Sequence, residues 1–329
     1  MQAVHAPSHF VSITWRHIRE TDLRDCLEIP PGHLSPRIAG RTAAFQTWRR
    51  MLRDPFFVAV AFESDPPIKG HRLIAFGASA FVAASFVDAE LSEPRPGTND
   101  RLIARVSAGE PVLLTRSEIA QANATAGADV VILSGSWRED IMSPEESLET
   151  HIVLPLAFTE IHTGYRLHRI LWETTTQHEI DFARQSGVYR PVRTCPEAGC
   201  ELHLMTREIA SAVPASLANA MFRFQEPMLG LRESDQALLA AALNGATDEE
   251  LCDDLGLAMP AVKARWRSAF ARIGAARPDL TADKTERSGR GLQKRHRVLA
   301  WIRNHPEELR PYAWNGRPGK GGPHRKVLP

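Results

Sequence analysis

The chain has 329 residues, 43% of them hydrophobic and 24% charged, which fits a globular protein of about two domains with real cores. No apolar run reaches the ~18 residues that cross a bilayer, and the opening MQAVHAPSHFVSITWRHI lacks the charged start and long apolar stretch of a secretory signal. Four cysteines (Cys26, Cys195, Cys200, Cys252) do not staple so long a chain, so a cytoplasmic protein with no membrane partner is expected. The net charge of +1 hides an asymmetry: residues 261–329 hold 17 Lys/Arg against 5 Asp/Glu, a net +12, and residues 1–260 a net −11. A polyanion-binding end and a separate acidic body are implied.

In chain order, SITWRHI reads as a strand and RETDLRDCLEI as a helix with Leu23, Cys26 and Leu27 on one stripe. FQTWRRML is a second short helix. FFVAVAFE and LIAFGASAFV flank the turn-prone SDPPIKGH as an antiparallel hairpin. SEPRPGTND reads as a loop, RSEIAQANATAGAD as a helix ending near Gly127, and ADVVILSGSW as a buried strand that terminates at Gly135. Ser143, Pro144 and Glu146 cap a long helix that runs to Gly164 through Pro155. RLHRILWETT is a strand, QHEIDFARQSGV a helix closed by Gly187, and CELHLMTR a last strand. Residues 206–230 form a linker helix and loop.

Downstream, Glu233 to Leu243 is a helix with Leu238, Leu239, Ala242 and Leu243 near one face, ended by Asn244-Gly245. Thr247 and Glu250 form a capping box for a short helix that carries Leu251 and Leu255 and stops at Gly256. A third helix, Pro260 to Ile273, groups Val262, Trp266, Ala269, Phe270 and Ile273 on one arc. Its opposite arc shows Ala264, Arg267 and Ala271, flanked by Lys263, Arg265 and Arg272. Small residues among arginines suit entry into a major groove, although a three-helix bundle with a solvated basic face gives the same periodicity. LQKRHRVLAWIRNHPEELRPY is a further amphipathic helix with Leu292, Leu299 and Ile302 near one side. The last residues, NGRPGKGGPHRK, are expected to be disordered.

The segment from Leu231 to Leu280 resembles the LuxR/GerE-type helix-turn-helix of bacterial regulators, matching at Leu231, Gly245, Leu251, Leu255, Gly256-Leu257, Val262-Lys263, Phe270 and Ile273-Gly274. The resemblance implies DNA contacts from Lys263, Ala264 and Arg267, with Arg265, Arg272 and Thr247 as helpers. Lys294, Arg295, Arg297 and Arg303 are expected to clamp phosphates as accessory contacts.

Residues 10–205 resemble the GNAT acyltransferase fold through the order of elements, and most in GYRLHRILWETT followed by QHEIDFARQSGVYRP with its Gly187-Val188 turn. That family cradles the pyrophosphate of acyl-CoA in an RxxGxG/A loop at a helix N-terminus. The corresponding LSGSWREDIMSPEESLETH offers Glu145, Glu146 and Glu149 instead, and Phe182-Ala183 stands where an acidic tyrosine is common. Cys195-x4-Cys200 with His203 lacks structural-zinc spacing, and His162, His168 and His178 read as scattered.

The expected architecture is therefore an α+β, GNAT-like mixed sheet with flanking helices at 1–205, a linker at 206–228, an all-α helix-turn-helix at 229–282 and a basic helix with disordered tail at 283–329. The expected function is a sequence-specific transcriptional regulator acting as a homodimer on double-stranded DNA, with a ligand-sensing or scaffolding N-terminal domain. A small molecule and RNA polymerase are its further expected partners. No catalytic residue, metal or cofactor is expected. The alternative is an acyl-CoA-dependent N-acyltransferase with an appended nucleic-acid-binding module.

Overall fold

The computed structural model describes residues 11–29, 40–54, 56–92, 95–243, 245–282 and 290–314. It divides into two compact units: residues 1–116, 128–162 and 167–222 form the first, and 117–127, 163–166 and 223–329 the second. The first unit thus reaches beyond residue 205, and two short segments from inside the expected N-terminal domain belong to the second. Asn244 and the C-terminal tail lie outside the described residues.

The first unit follows the order β1 (Ser12–His17), α1 (Leu23–Cys26), α2 (Gly40–Met51), β2 (Phe57–Ile68), β3 (His71–Val82), α3 (Ala84–Ser92) and α4 (Thr98–Ser107). After α5 (Arg116–Ala124), which belongs almost wholly to the second unit, come β4 (Ala128–Trp137), α6 (Pro144–His162), β5 (Leu167–Thr174) and α7 (Gln177–Ser186). β6 (Arg190–Cys195), β7 (Cys200–Thr206), α8 (Arg207–Ser211) and α9 (Leu217–Met221) complete it. The strands form one mixed sheet in the order β1-β2-β3-β4-β5-β7-β6, antiparallel except for β4 and β5.

Local chemistry explains most of these elements. The β2–β3 hairpin is longer than its sequence suggests, because Lys69 and Gly70 take φ of 45° and 85°. Two successive positive φ values make a tight turn whose twist matches the strands, so SDPPI pairs as strand up to it. Ser143 Oγ accepts the Glu146 N–H while Glu146 accepts the Ser143 N–H, which starts α6 as expected. Thr176 and Glu179 do the same for α7, and Gly187 closes it at a φ of 69°. Two elements were not anticipated beside the Pro/Gly-rich stretch, α3 and α4. β6 was missed as well, since Pro191 argues against a strand except on an edge, and β6 is an edge.

The second unit holds α10 (Glu233–Leu243), α11 (Asp248–Leu255), α12 (Met259–Ala276), α13 (Pro278–Thr281) and α14 (Arg290–Arg303). Leu238, Leu251, Val262, Trp266 and Ile273 share one core with Val298 and Ile302, so α14 is part of that core rather than a free basic tail. The side chain of Leu292 is outside the described residues. Asn123 is buried here, donating to the Pro311 carbonyl and accepting the Arg166 N–H. Glu308 accepts the backbone N–H groups of Met228 and Leu229 at 2.7 and 3.0 Å. Burial nevertheless dominates and pushes its carboxyl up to about 7.

Candidate functional site

β4 and β5 pair in parallel from Ala128 with Leu167 to Ile132 with Trp172, and no further. Beyond that point β4 continues five residues to Trp137. β4 also carries a bulge. Ser79 of β3 faces Ile132 and Ala78 faces Ser134, so Leu133 has no opposite partner. One extra residue shifts the phase of every side chain after it. Val131 and Leu133 point into the main core, whereas Ile132 before the bulge and Gly135 and Trp137 after it line the opposite side.

On that side, a cavity of ≈ 300 Å³ lies between the sheet, α6, α7 and α9. Its walls are mainly apolar, from Val58, Leu154, Phe158, Phe182, Met205 and Met221. Register and helix contacts order the cavity along α6. Trp137 lies against His151, with ring centroids 4.6 Å apart. Gly135 and its cross-strand partner Gly77 lie under Leu154. Ser79, one strand over from Ile132, lies against His162, whose ring is tilted against that of Phe158 with centroids 4.2 Å apart.

The polar groups sit at the two ends. At the far end Ser79 Oγ and His162 Nε2 are 3.1 Å apart, and His162 Nδ1 is 2.7 Å from the Phe158 carbonyl. A carbonyl only accepts, so Nδ1 carries the proton, Nε2 accepts from the Ser79 hydroxyl, and the pair satisfies itself. At the open end His151 and His178 meet with their Nε2 atoms 2.6 Å apart. His151 Nδ1 is 2.6 Å from the Ser147 carbonyl and must donate to it. Burial is the main force holding His151 below the ordinary histidine value of 6.5, against the Ser147 bond that raises it, and the nearby His178 lowers it further. His151 is then neutral at pH 7 and accepts at Nε2, so His178 donates from Nε2, and the neutral form of His178 carries its lone pair at Nδ1. The Trp137 indole N–H, packed edge-on against both imidazoles, is buried with no hydrogen-bond partner. Tyr189, which follows α7, also lines the cavity, and burial raises its phenol well above the ordinary value. Sequence reasoning had looked for such a tyrosine at Phe182-Ala183, seven residues too early.

The N-terminus of α6 does not suit a pyrophosphate. Its first turn carries Glu145 and Glu146, and the Glu146 N–H is already given to Ser143 Oγ. The absence of a Gly-rich cradle, expected from the sequence, therefore coincides with a helix end that caps itself.

The residues expected to contact DNA lie in the second unit. Thr247 caps α11 through Glu250. Lys263, Ala264 and Arg267 are exposed on α12, and Arg265 is half-buried. Arg272 pairs with buried Asp235 at 3.0 Å. Arg295 pairs with Asp248 at 2.8 Å and lies over the Trp266 ring. Arg297 donates to the Ala282 carbonyl and Arg303 to that of Leu243, while Lys294 is half-buried on α14. Much of the basic stripe thus ties helices to one another. The cysteine-histidine set holds no metal geometry: His203 is fully buried and lies 3.2 Å from Thr174 Oγ1, and no metal-holding cluster occurs among the described residues. His168 lies 3.1 Å from Asp129, away from His178. His151, on which the open end depends, had not been singled out at all. Among the described residues no helix is long and apolar enough to cross a membrane.

No protein-family model matches the chain, and no curated protein does. Among solved structures it is similar to FeeM, an N-acyl amino acid synthase from uncultured soil microbes, at 11% identity over 65% of this chain and 99% of that one, with a TM-score of 0.33. A putative acetyltransferase from Acinetobacter baylyi matches at 11% identity, over 60% and 94%, with a TM-score of 0.34. A mosquito arylalkylamine N-acetyltransferase matches at 10% identity, over 59% and 100%, with a TM-score of 0.36. The mixed α+β sheet with its parallel β4–β5 pair matches the GNAT-like expectation. These structures are acyl- and acetyltransferases, where the sequence had suggested a DNA-binding transcriptional regulator without catalytic activity. That reading is withdrawn, together with its LuxR-type assignment and the claim that the chain is no enzyme.

Proposed function

We propose that the first unit transfers an acyl group from a thioester to an amine. The observation that carries this reading is the parting of β4 and β5 beyond Ile132 and Trp172 over a cavity with the His151–His178 pair at its open end. The amine nitrogen attacks the thioester carbonyl, the C–N bond forms and the C–S bond breaks. His178 takes the amine proton at Nδ1, and its Nε2–H then makes a charge-assisted bond to neutral His151. His178 then passes that proton from Nδ1 to the departing thiolate, which leaves as the thiol. Trp137 donates its indole N–H to the carbonyl oxygen as negative charge develops there. Because the α6 N-terminus offers no seat for a pyrophosphate, recognition rests on the acyl group and the thioester rather than on a nucleotide.

The test uses the full-length protein with acyl-CoA and acyl-N-acetylcysteamine thioesters and a panel of amines and amino acids. Thiol release is followed by a thiol reagent and amide formation by mass spectrometry. Amide formed with both donor types supports the reading. No amide and no thiol release with either donor across the panel overturns it.

A further inference from the structure

We propose that the cavity holds a saturated acyl chain of about ten carbons, carboxyl end at the histidines and methyl end at the Ser79–His162 pair. This rests on the acyl-transfer reading for the identity of the head group, and on the geometry of the cavity for the rest.

Three observations support it. The first is shape. The stretch from Trp137 to Ile132, which pairs with Ala75 to Ser79 of β3, is about 13 Å long, and that from His151 to His162 along α6 about 16 Å, at ~3.3 Å per strand residue and ~1.5 Å per helix residue. The cavity is therefore long rather than round, and an acetyl group would leave most of it empty. The second is volume. At ~30 Å³ for each water-sized group, ≈ 300 Å³ takes about ten heavy atoms. The third is the distribution of polarity. The Ser79 hydroxyl and His162 Nε2 are bonded to each other, and His162 Nδ1 is bonded to the Phe158 carbonyl, so the far end is a stop built of satisfied groups. The Trp137 N–H and the His178 lone pair are both at the other end, where a carbonyl belongs. Between them the walls are aliphatic and aromatic, and the Gly77–Gly135 pair forms a waist beneath Leu154. Glycines facing each other inside two paired strands mark a place where the sheet is approached closely. An added Cβ on Gly135 would lie 3.7 Å from Leu154 Cδ2, so anything larger than a methyl group drives Leu154 across the waist.

The experiment measures displacement of a fluorescent fatty acid from the full-length protein by straight-chain carboxylates from butanoate to hexadecanoate. Each methylene buried should tighten binding roughly fourfold, up to about ten carbons, after which the gain should stop. Gly135→Val should bring that ceiling down to shorter chains and leave butanoate and hexanoate close to wild type. Phe158→Ala, which opens the far end, should move it to longer ones, and it keeps the idea testable should Gly135→Val fail to fold. Affinity independent of chain length, or a ceiling that neither folded variant moves, overturns the proposal. The two readings fail separately. Chain-length-dependent binding without turnover of any thioester would sink acyl transfer and leave the chain site standing. Turnover of acetyl and decanoyl thioesters with equal kcat/KM would do the reverse.

Discussion

Successive residues of the same strands serve opposite purposes on the two faces of the sheet. Phe57, Phe76, Leu133 and Leu171 pack into the large core beneath the first helices, with Trp48 edge-on to Phe57 and Phe76 at 5.2 and 5.7 Å. Their neighbours Val58, Gly77, Ile132 and Trp172 border a cavity of ≈ 300 Å³. At roughly 24 cal/mol per Å³ a closed void of that size would cost about 7 kcal/mol. That is an upper bound, because this one opens at the histidine end, but it is comparable to the whole net stability of a domain. The solid face therefore has to supply stability that the hollow face withholds. Hollow space of this kind is the signature of a site that expects a ligand.

The largest effect should come from the open end of the hollow face. Replacing His178 with Gln removes the lone pair that takes the amine proton and should lower kcat by about 10²- to 10⁴-fold, with the thermal transition unchanged. The pH profile gives an independent check. Because burial holds His151 below the ordinary histidine value, His151 keeps its Nε2 lone pair and goes on accepting from His178 as the pH drops through 6.5. Activity should be full at neutral pH and fall only on the acid side of that value, and this acid limb should vanish in His178→Gln. A limb identical in wild type and variant would assign the titration to another group.

How much of this was legible in the sequence differs between the two faces. The solid face was readable, because FFVAVAFE and LIAFGASAFV announce strands by their β-branched and aromatic content, and the turn residues between them fix a hairpin. ADVVILSGSW was also readable as a strand, although its expected end at Gly135 falls two residues short of the end of β4 at Trp137. What the run could not reveal was the bulge at Leu133. Apolar residues on both faces leave no alternation to go out of phase, so nothing in the string marks where Gly135 and Trp137 change sides. The parallel pairing with β5 is equally silent, since it depends on residues some 40 positions apart in the chain. His151 and His178 are 27 residues apart on two helices, and no spacing rule brings them together before the sheet does. The C-terminal helices show the opposite error. Periodicity located α10, α11 and α12 well, but exposure of the arginines was inferred from one helix at a time. Asp235 on α10 and Asp248 on α11 hold Arg272 and Arg295, and only tertiary packing reveals that.

On the solid face, Trp48→Ala should cost about 3–5 kcal/mol, as for large aromatics removed from tight cores. The side chain is 1% exposed and touches two phenylalanine rings. Chemical denaturation would measure it, with an unchanged slope showing that the unfolding unit is the same. Phe182→Ala, an aromatic truncation into the cavity wall, should cost clearly less, because that ring is half-buried and already borders open space. Equal losses would mean that the hollow face is packed as tightly as the solid one, and the comparison would fail.

The smallest effects are the sharpest test, because they turn on sign. Gly77 and Gly135 face each other across β3 and β4, and neither has a positive φ, so an alanine strains the backbone at neither position. Removing a glycine from the unfolded chain's repertoire is by itself worth about 0.4–1 kcal/mol in favour of the folded state. At Gly135 the new methyl would meet only Leu154 Cδ2, at 3.7 Å, which is an ordinary contact. Gly135→Ala should therefore stabilise the protein by about that amount. At Gly77 the methyl would come within 3.3 Å of Val60 Cγ2 and 3.6 Å of Leu154 Cδ2. Val60 is 5% exposed and belongs to the smaller core beside β1, so it has little room to give. Overpacking should cancel the entropic gain, leaving Gly77→Ala neutral or destabilising by about 1 kcal/mol. Thermal melts of the two variants side by side decide the matter. Should Gly135→Ala destabilise as much as Gly77→Ala, the floor of the cavity is already full at Gly135, and the space assigned to an acyl chain is not there.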